Sequence, residues 1–145
     1  MRLDGKVAIV TASTRGIGLA CTQRLAREGA IVYMAARNME RAENRAKELN
    51  DEGCNVKTVY NDATEKETYT SMVEEVFKNE GRIDILVNNF GTSNPQKDLD
   101  IKNTEYDEYI RTVDINLASV FMTSQAAIPH MAANGGGRII NISSI

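Results

Sequence analysis

Thr11-Ala12-Ser13-Thr14-Arg15-Gly16-Ile17-Gly18 follows the β-branched run Val7–Val10 and leads into a helical segment that reaches Glu28. A strand that turns through such a stretch directly into a helix is the opening of a βαβ unit. Gly16 and Gly18 carry no Cβ to hold a phosphate away from backbone N–H groups, and a helix start adds about half a positive charge. The stretch therefore predicts a phosphate-binding turn. A plain strand-to-helix turn is the simpler alternative, and the βαβ context favours the phosphate site over it.

Outward from this turn, apolar runs and helical patterns alternate. Short runs at Val7–Val10, Ile31–Met34, Val56–Tyr60, Ile83–Val87 and Ile139–Ile142 read as strands. Between them, Met39, Ala42, Ala46 and Leu49 recur at helical spacing, as do Tyr69, Met72, Val73, Val76 and Phe77. A long segment from Thr104 to about Ala133 carries a broad apolar stripe through Tyr106, Tyr109, Ile110, Val113, Leu117, Val120, Phe121, Ser124 and Ile128. Gly29, Gly53 and Gly81 stand where left-handed helix ends are wanted, and Asn134-Gly135-Gly136-Gly137 stops the long helix. Parallel neighbours need crossover helices, so the pattern predicts an α/β fold, a Rossmann-type doubly wound parallel sheet. The third strand alternates in polarity, which suits an edge and a 3-2-1-4-5 order. The loop Gly91–Asn103 is the longest irregular stretch.

The 145 residues are one domain's worth of chain, with an ordinary globular balance of 42% hydrophobic and 26% charged residues. A net charge of −3 and the lack of a basic stripe argue against a nucleic-acid partner. No apolar run has the length of a membrane span, and Met1–Gly5 has no signal-peptide character, so the expected setting is cytoplasmic. Cys21 and Cys54 fit no metal-ligand spacing and read as reduced thiols, and no metal site is expected. His130, the one histidine, reads as a solvated helix-end residue.

The second strand ends at Ala35-Ala36-Arg37, about twenty residues beyond the Gly turn. An NAD site commonly carries an acid there to hold the ribose 2′-hydroxyl. Here the position offers Arg37, with Arg15 in the turn itself. Two guanidinium groups pair well with a 2′-phosphate, which points to NADP rather than NAD.

These residues resemble the short-chain dehydrogenase/reductase family. That family's turn is Thr-Gly-x-x-x-Gly-x-Gly, and Ala12 departs from it. Asn88-Asn89-Phe90-Gly91 is similar to the family's Asn-Asn-Ala-Gly, with Phe90 in place of a small residue. The resemblance implies a cofactor site of Thr11, Ser13, Thr14, Arg15, Gly16, Ile17, Gly18, Arg37, Asp62, Ala63, Asn89, Phe90 and Gly91, with Asp62 at the adenine amino group. Asp114-Ile115-Asn116 matches the motif whose Asn belongs to the catalytic tetrad, and Ile142-Ser143-Ser144 matches the segment with the catalytic Ser. Family spacing selects Ser144 over Ser143, so Ser144 and Asn116 are the expected catalytic residues. More narrowly, the Thr11–Gly18 turn, Phe90 and Ala127–Met131 resemble NADP-dependent 7α-hydroxysteroid dehydrogenases.

The implied activity is hydride transfer between nicotinamide and a small-molecule alcohol or ketone, the 7α-hydroxyl of a bile acid first. A 3-oxoacyl-carrier-protein reductase or another short-chain alcohol dehydrogenase would share these motifs. The family's Tyr-x-x-x-Lys pair is absent from residues 1–145, which therefore read as one dinucleotide-binding domain truncated after its fifth strand. A non-catalytic dinucleotide-binding module is the alternative from another class. The long helix resembles one that packs against a second subunit in the family, implying a homo-oligomer, although its apolar stripe also fits burial within one subunit.

Overall fold

The computed structural model of the chain describes residues 1–143. The order is β1 (Val7–Thr11), α1 (Gly16–Arg27), β2 (Ile31–Ala36), α2 (Met39–Asp51), β3 (Asn55–Tyr60), α3 (Glu67–Glu80), β4 (Ile85–Asn88), α4 (Tyr106–Ala133) and β5 (Arg138–Asn141). All strand pairs are parallel and lie in the order β3-β2-β1-β4-β5. This is the doubly wound Rossmann-type order expected from the pattern. No helix among the described residues is long and apolar enough to cross a membrane.

Alternation along β1 divides the core. Val7 and Ile9 face α3 and α4, joining Met72, Val73, Val76 and Met131. Ala8 and Val10 face the other way, joining Ala26 of α1 and Ala46 and Leu49 of α2. Burial on both faces explains why β1 reads as a continuous apolar run. Edge strand β3 does not alternate as its residue types suggest. Val56 packs toward α2 and Val59 toward α3, while Lys57 and Tyr60 are exposed, because both faces of this edge are partly covered.

Strand bounds shift by one or two residues from the sequence expectation; in particular, β4 begins at Ile85 rather than Ile83, and β5 ends at Asn141 rather than Ile142. Asp84, just before β4, latches β1. Its Oδ2 accepts from the Val7 N–H (2.9 Å) and Arg82 Nε (2.8 Å), and its Oδ1 accepts from Lys6 Nζ (3.1 Å) and Arg82 Nη2 (2.6 Å). Burial alone would raise the pKa of this carboxyl. The bonds from Arg82, Val7 and Lys6 overcome burial and hold it at about 2. A depressed folded-state pKa contributes stability above the unfolded value and loses it as pH falls through the folded one. Asp84→Asn should therefore lower stability at neutral pH by about 2 kcal/mol. It should also flatten the acid-unfolding curve between pH 3.8 and about 2. An unchanged urea midpoint at pH 7 would contradict the latch.

The β1–α1 turn divides its backbone demands between three residues. Ala12 takes φ +50°, the one left-handed non-glycine among the described residues. Gly16 is also left-handed at φ +56°, and a Cβ there would meet nothing. Gly18 has a different constraint: a Cβ would overlap the Ala12 carbonyl and lie 2.6 Å from Asn89 Nδ2. Its close approach is thus to its own chain, whereas the sequence reading assigned that approach to a phosphate. Ala12→Gly should stabilise the fold by about 1 kcal/mol by relieving the left-handed strain. An unchanged denaturation midpoint would show that the turn carries none.

Candidate functional site

The carboxyl ends of β1 to β4 open onto one cleft of about 600 Å³, the place where doubly wound sheets bind ligands. Of the residues singled out by sequence, Thr14, Arg15, Arg37, Asp62, Ala63, Phe90 and Gly91 line it. Arg37 is largely exposed, and its Nε lies 3.9 Å from Asp62 Oδ2. Asp62 Oδ1 accepts from both the Thr64 N–H and the Thr64 hydroxyl at 2.8 Å. The Thr64 N–H is the main influence lowering the Asp62 pKa. Burial opposes it, and the Thr64 hydroxyl and Arg37 assist.

Other singled-out residues stand behind this wall. Thr11 is buried, with its Oγ1 accepting from the Asn89 and Phe90 N–H groups (2.9 and 3.1 Å). Ser13 is fully buried and donates to the Ala35 carbonyl (3.4 Å). Asn89 Nδ2 donates to the Thr11 and Ala12 carbonyls, both at 3.2 Å. These side chains tie β1 to β4 and β2 and shape the turn without facing the cleft. Ile17 is exposed at the start of α1. Gly18, packed under the turn, lets α1 begin there.

α1 starts without a side-chain cap and without an acid in its first turn. Its first backbone bond runs from Leu19 N–H to the Arg15 carbonyl. The N–H groups before it have no intrahelical acceptor, as at any helix start, and suit an anion.

Asn116 grips the chain that follows β4. Its Nδ2 donates to the Thr92 and Thr112 carbonyls (2.7 and 2.8 Å), and its Oδ1 accepts from the Thr92 N–H (2.8 Å). Asn88 binds α4 and β5 to β4: its Oδ1 accepts from Thr123 Oγ1 (2.7 Å), and its Nδ2 donates to Asn141 Oδ1 (2.9 Å). The Ile142 N–H donates to the Asn88 carbonyl (2.9 Å), so the chain leaves β5 beside the cleft-forming end of β4. Ser143 is exposed. Ser144 lies outside the described residues.

Asn38, Arg41, Thr64, Thr92, Arg111 and Ile115 also line the cleft, and sequence reading had not assigned them. Arg111 and Ile115 share a face of α4 at a spacing of four, which was a usable signal. The alternative that the α4 stripe is buried within one subunit and the expectation of a solvated His130 both need revision. Tyr106, Tyr109, Ile110, Leu117, Phe121 and Ile128 of the α4 stripe are exposed, while Ser119, Thr123, Ala127 and Met131 form the buried side. Small side chains let α4 approach the sheet closely, and the bulky stripe points away. His130 is not simply solvated: its ring stacks on Phe77 at 3.9 Å between centroids, and Nε2 lies 2.9 Å from Glu74 Oε1.

A family profile described as short chain dehydrogenase matches residues 6–145, and the chain belongs to that family. It is 53% identical over 144 residues to a 7α-hydroxysteroid dehydrogenase of Clostridium sardiniense, covering 99% of this chain and 55% of the relative. The corresponding enzyme of Paraclostridium sordellii is 47% identical, with 99% and 54% covered. The chain thus spans about half the length of these relatives. Among solved structures, a gluconate 5-dehydrogenase from Burkholderia cenocepacia in complex with NADP and tartrate matches with TM-score 0.88 and 38% identity. That match covers 99% of this chain and 55% of the other.

Proposed function

We propose that residues 1–145 are the dinucleotide-binding part of an NADP(H)-dependent oxidoreductase acting on a secondary alcohol or ketone. The observation that carries the cofactor choice is the cleft wall at the end of β2, which offers Arg37 where an NAD site would hold an acid. The site fits the cofactor on its own terms. It combines an uncapped helix start, a left-handed turn with open space over Gly16, and guanidinium groups at the cleft mouth. Arg15 and Arg37 would hold the 2′-phosphate, Asp62 would accept from the adenine amino group, and the first turn of α1 would bind the pyrophosphate.

Bound there, NADP(H) supplies or accepts the hydride. Asn116 holds the Gly91–Thr92 backbone that forms one wall, and Ser144 is the proposed donor to the substrate oxygen. The family's acid–base pair is proposed to come from chain beyond residue 145, since the matched relatives are nearly twice as long. The same relatives, named as 7α-hydroxysteroid dehydrogenases, support a steroid 7α-hydroxyl as substrate, and a bile acid is the proposed steroid. The test is isothermal titration of the purified protein with NADPH and NADH. Initial rates of the whole protein, including the chain beyond residue 145, with 3-, 7- and 12-hydroxy bile acids and an acetoacetyl thioester complete it. Tighter NADPH binding and selective 7-position turnover are expected. Preference for the thioester would replace the substrate by an acyl chain. Cofactor binding without turnover of any alcohol or ketone would favour a binding module.

The exposed stripe of α4 supports a homo-oligomer, since a contiguous row of Leu117, Phe121 and Ile128 beside Tyr109 and Ile110 is poorly matched to water. Charging its centre with Leu117→Glu and Phe121→Glu together should reduce the mass measured by light scattering to that of one chain. An unchanged mass would remove α4 from any interface.

A further inference from the structure

The arginines of this chain fall into two groups. Arg2, Arg24, Arg27, Arg45, Arg82 and Arg111 each hold a carboxylate oxygen within 2.8 Å. Arg37 reaches one only at 3.9 Å. Among the described residues, Arg15, Arg41 and Arg138 have no carboxylate within 4.0 Å; Arg138 stands on β5 and donates to the Gly137 carbonyl, whereas Arg15 and Arg41 line the same cleft as Arg37. Three of the four guanidinium groups without a close carboxylate partner thus gather at one mouth of an acidic protein.

Arg41 is also placed against local preference. It stands in the first turn of α2, where the helix macrodipole favours acids and disfavours cations. The Asn38 side chain caps that turn by accepting from the Arg41 backbone N–H (2.8 Å), which leaves the guanidinium out of the capping. A cation that weakens its own helix and faces a cleft has a ligand role as its physical explanation.

Charge matching identifies the ligand group. Arg15, Arg37 and Arg41 against Asp62 leave a formal surplus of two positive charges on the wall, with Arg111 answered by Glu108. A phosphate monoester carries about −1.5 to −2 at pH 7. Without Arg41 the surplus falls to one, short of a dianion. We infer that Arg41 is a specificity-determining residue that supplies the second net positive charge for the cofactor's 2′-phosphate. The inference rests on the NADP(H) reading and extends it to a residue on α2.

The experiment measures dissociation constants by calorimetry for NADPH, NADH, adenosine 2′,5′-bisphosphate and 5′-AMP, with Arg37→Ala as reference. Arg41→Gln should weaken NADPH and the bisphosphate about tenfold, the loss of roughly one charge-assisted contact. NADH and 5′-AMP should be unaffected, and Arg41→Lys should keep most of the affinity. Thermal melting should show Arg41→Gln at least as stable as the parent, since an unfavourable charge has left the helix start. Unchanged NADPH affinity in Arg41→Gln, with Arg37→Ala selectively impaired, would overturn the inference and leave the cofactor reading standing. Equal losses for both cofactors in both variants would defeat the cofactor reading as well.

Discussion

Ser144→Ala should lower kcat by about 10²–10³-fold, the usual effect of removing one donor aimed at a developing oxyanion. The expectation follows from the role proposed for Ser144, holding the substrate oxygen while its carbon exchanges hydride. The Ile142–Asn88 backbone bond keeps the chain before Ser144 at the open end of the sheet, beside the elements that wall the cleft. Cofactor affinity should change little, because the proposed phosphate site is the β1–α1 turn and the end of β2. Ser144→Thr keeps a hydroxyl and should retain much of the activity, while Ser143→Ala should be mild. The measurement is kcat and KM in the whole enzyme, together with NADPH titration of each variant. A severe Ser143→Ala defect would move the catalytic role by one residue. A fall in NADPH affinity that matched the fall in kcat would make the serine a cofactor ligand.

Arg37→Ala should weaken NADP(H) by about 10- to 100-fold, as a charge-assisted contact worth about 1.5–3 kcal/mol is lost. A second effect adds to the first. Asp62 sits 3.9 Å from Arg37 Nε, so removing the guanidinium takes away the cation nearest that carboxylate and lowers the net positive charge of the wall by one. NADH carries no 2′-phosphate and should bind nearly as before. Arg37→Lys should fall between, because a point charge replaces a planar fork. The NADPH loss should shrink as salt rises, since Arg37 is exposed and its field is screened. Calorimetric titration of both cofactors decides the matter, and equal losses would show that Arg37 does not read the 2′-phosphate.

Much of this architecture was legible before any coordinates. The alternation of β-branched runs with helical spacing, and the polarity of the third run, led to the observed 3-2-1-4-5 sheet. Both signals are local. The buried run of α3 at Tyr69, Met72, Val73 and Val76 appears as spaced, because a period of three and four residues reports a face directly. The departure at Ala12 was also readable, since alanine there fills a family glycine position, and its φ stands at +50°.

Where locality ends, so does legibility. The α4 stripe has the correct period, yet its bulky side faces outward and its small side packs on the sheet. Period identifies a face but not which neighbour meets it. Motif membership misled in the same manner: Thr11 and Ser13 belong to the turn by sequence, but strand alternation and packing against β2 and β4 turn their hydroxyls inward. Sequence alone determined the order of elements, the glycine-rich turn between β1 and α1 and the basic residue that follows β2, because each depends on neighbours within a few positions. Tertiary structure alone decided that Arg41 joins Arg15 and Arg37 at one mouth and that Asp84 closes β4 onto β1. It also decided that Asn116 holds the Thr92 backbone. Those contacts join elements distant in sequence, and they form only when the sheet brings its carboxyl ends to one edge.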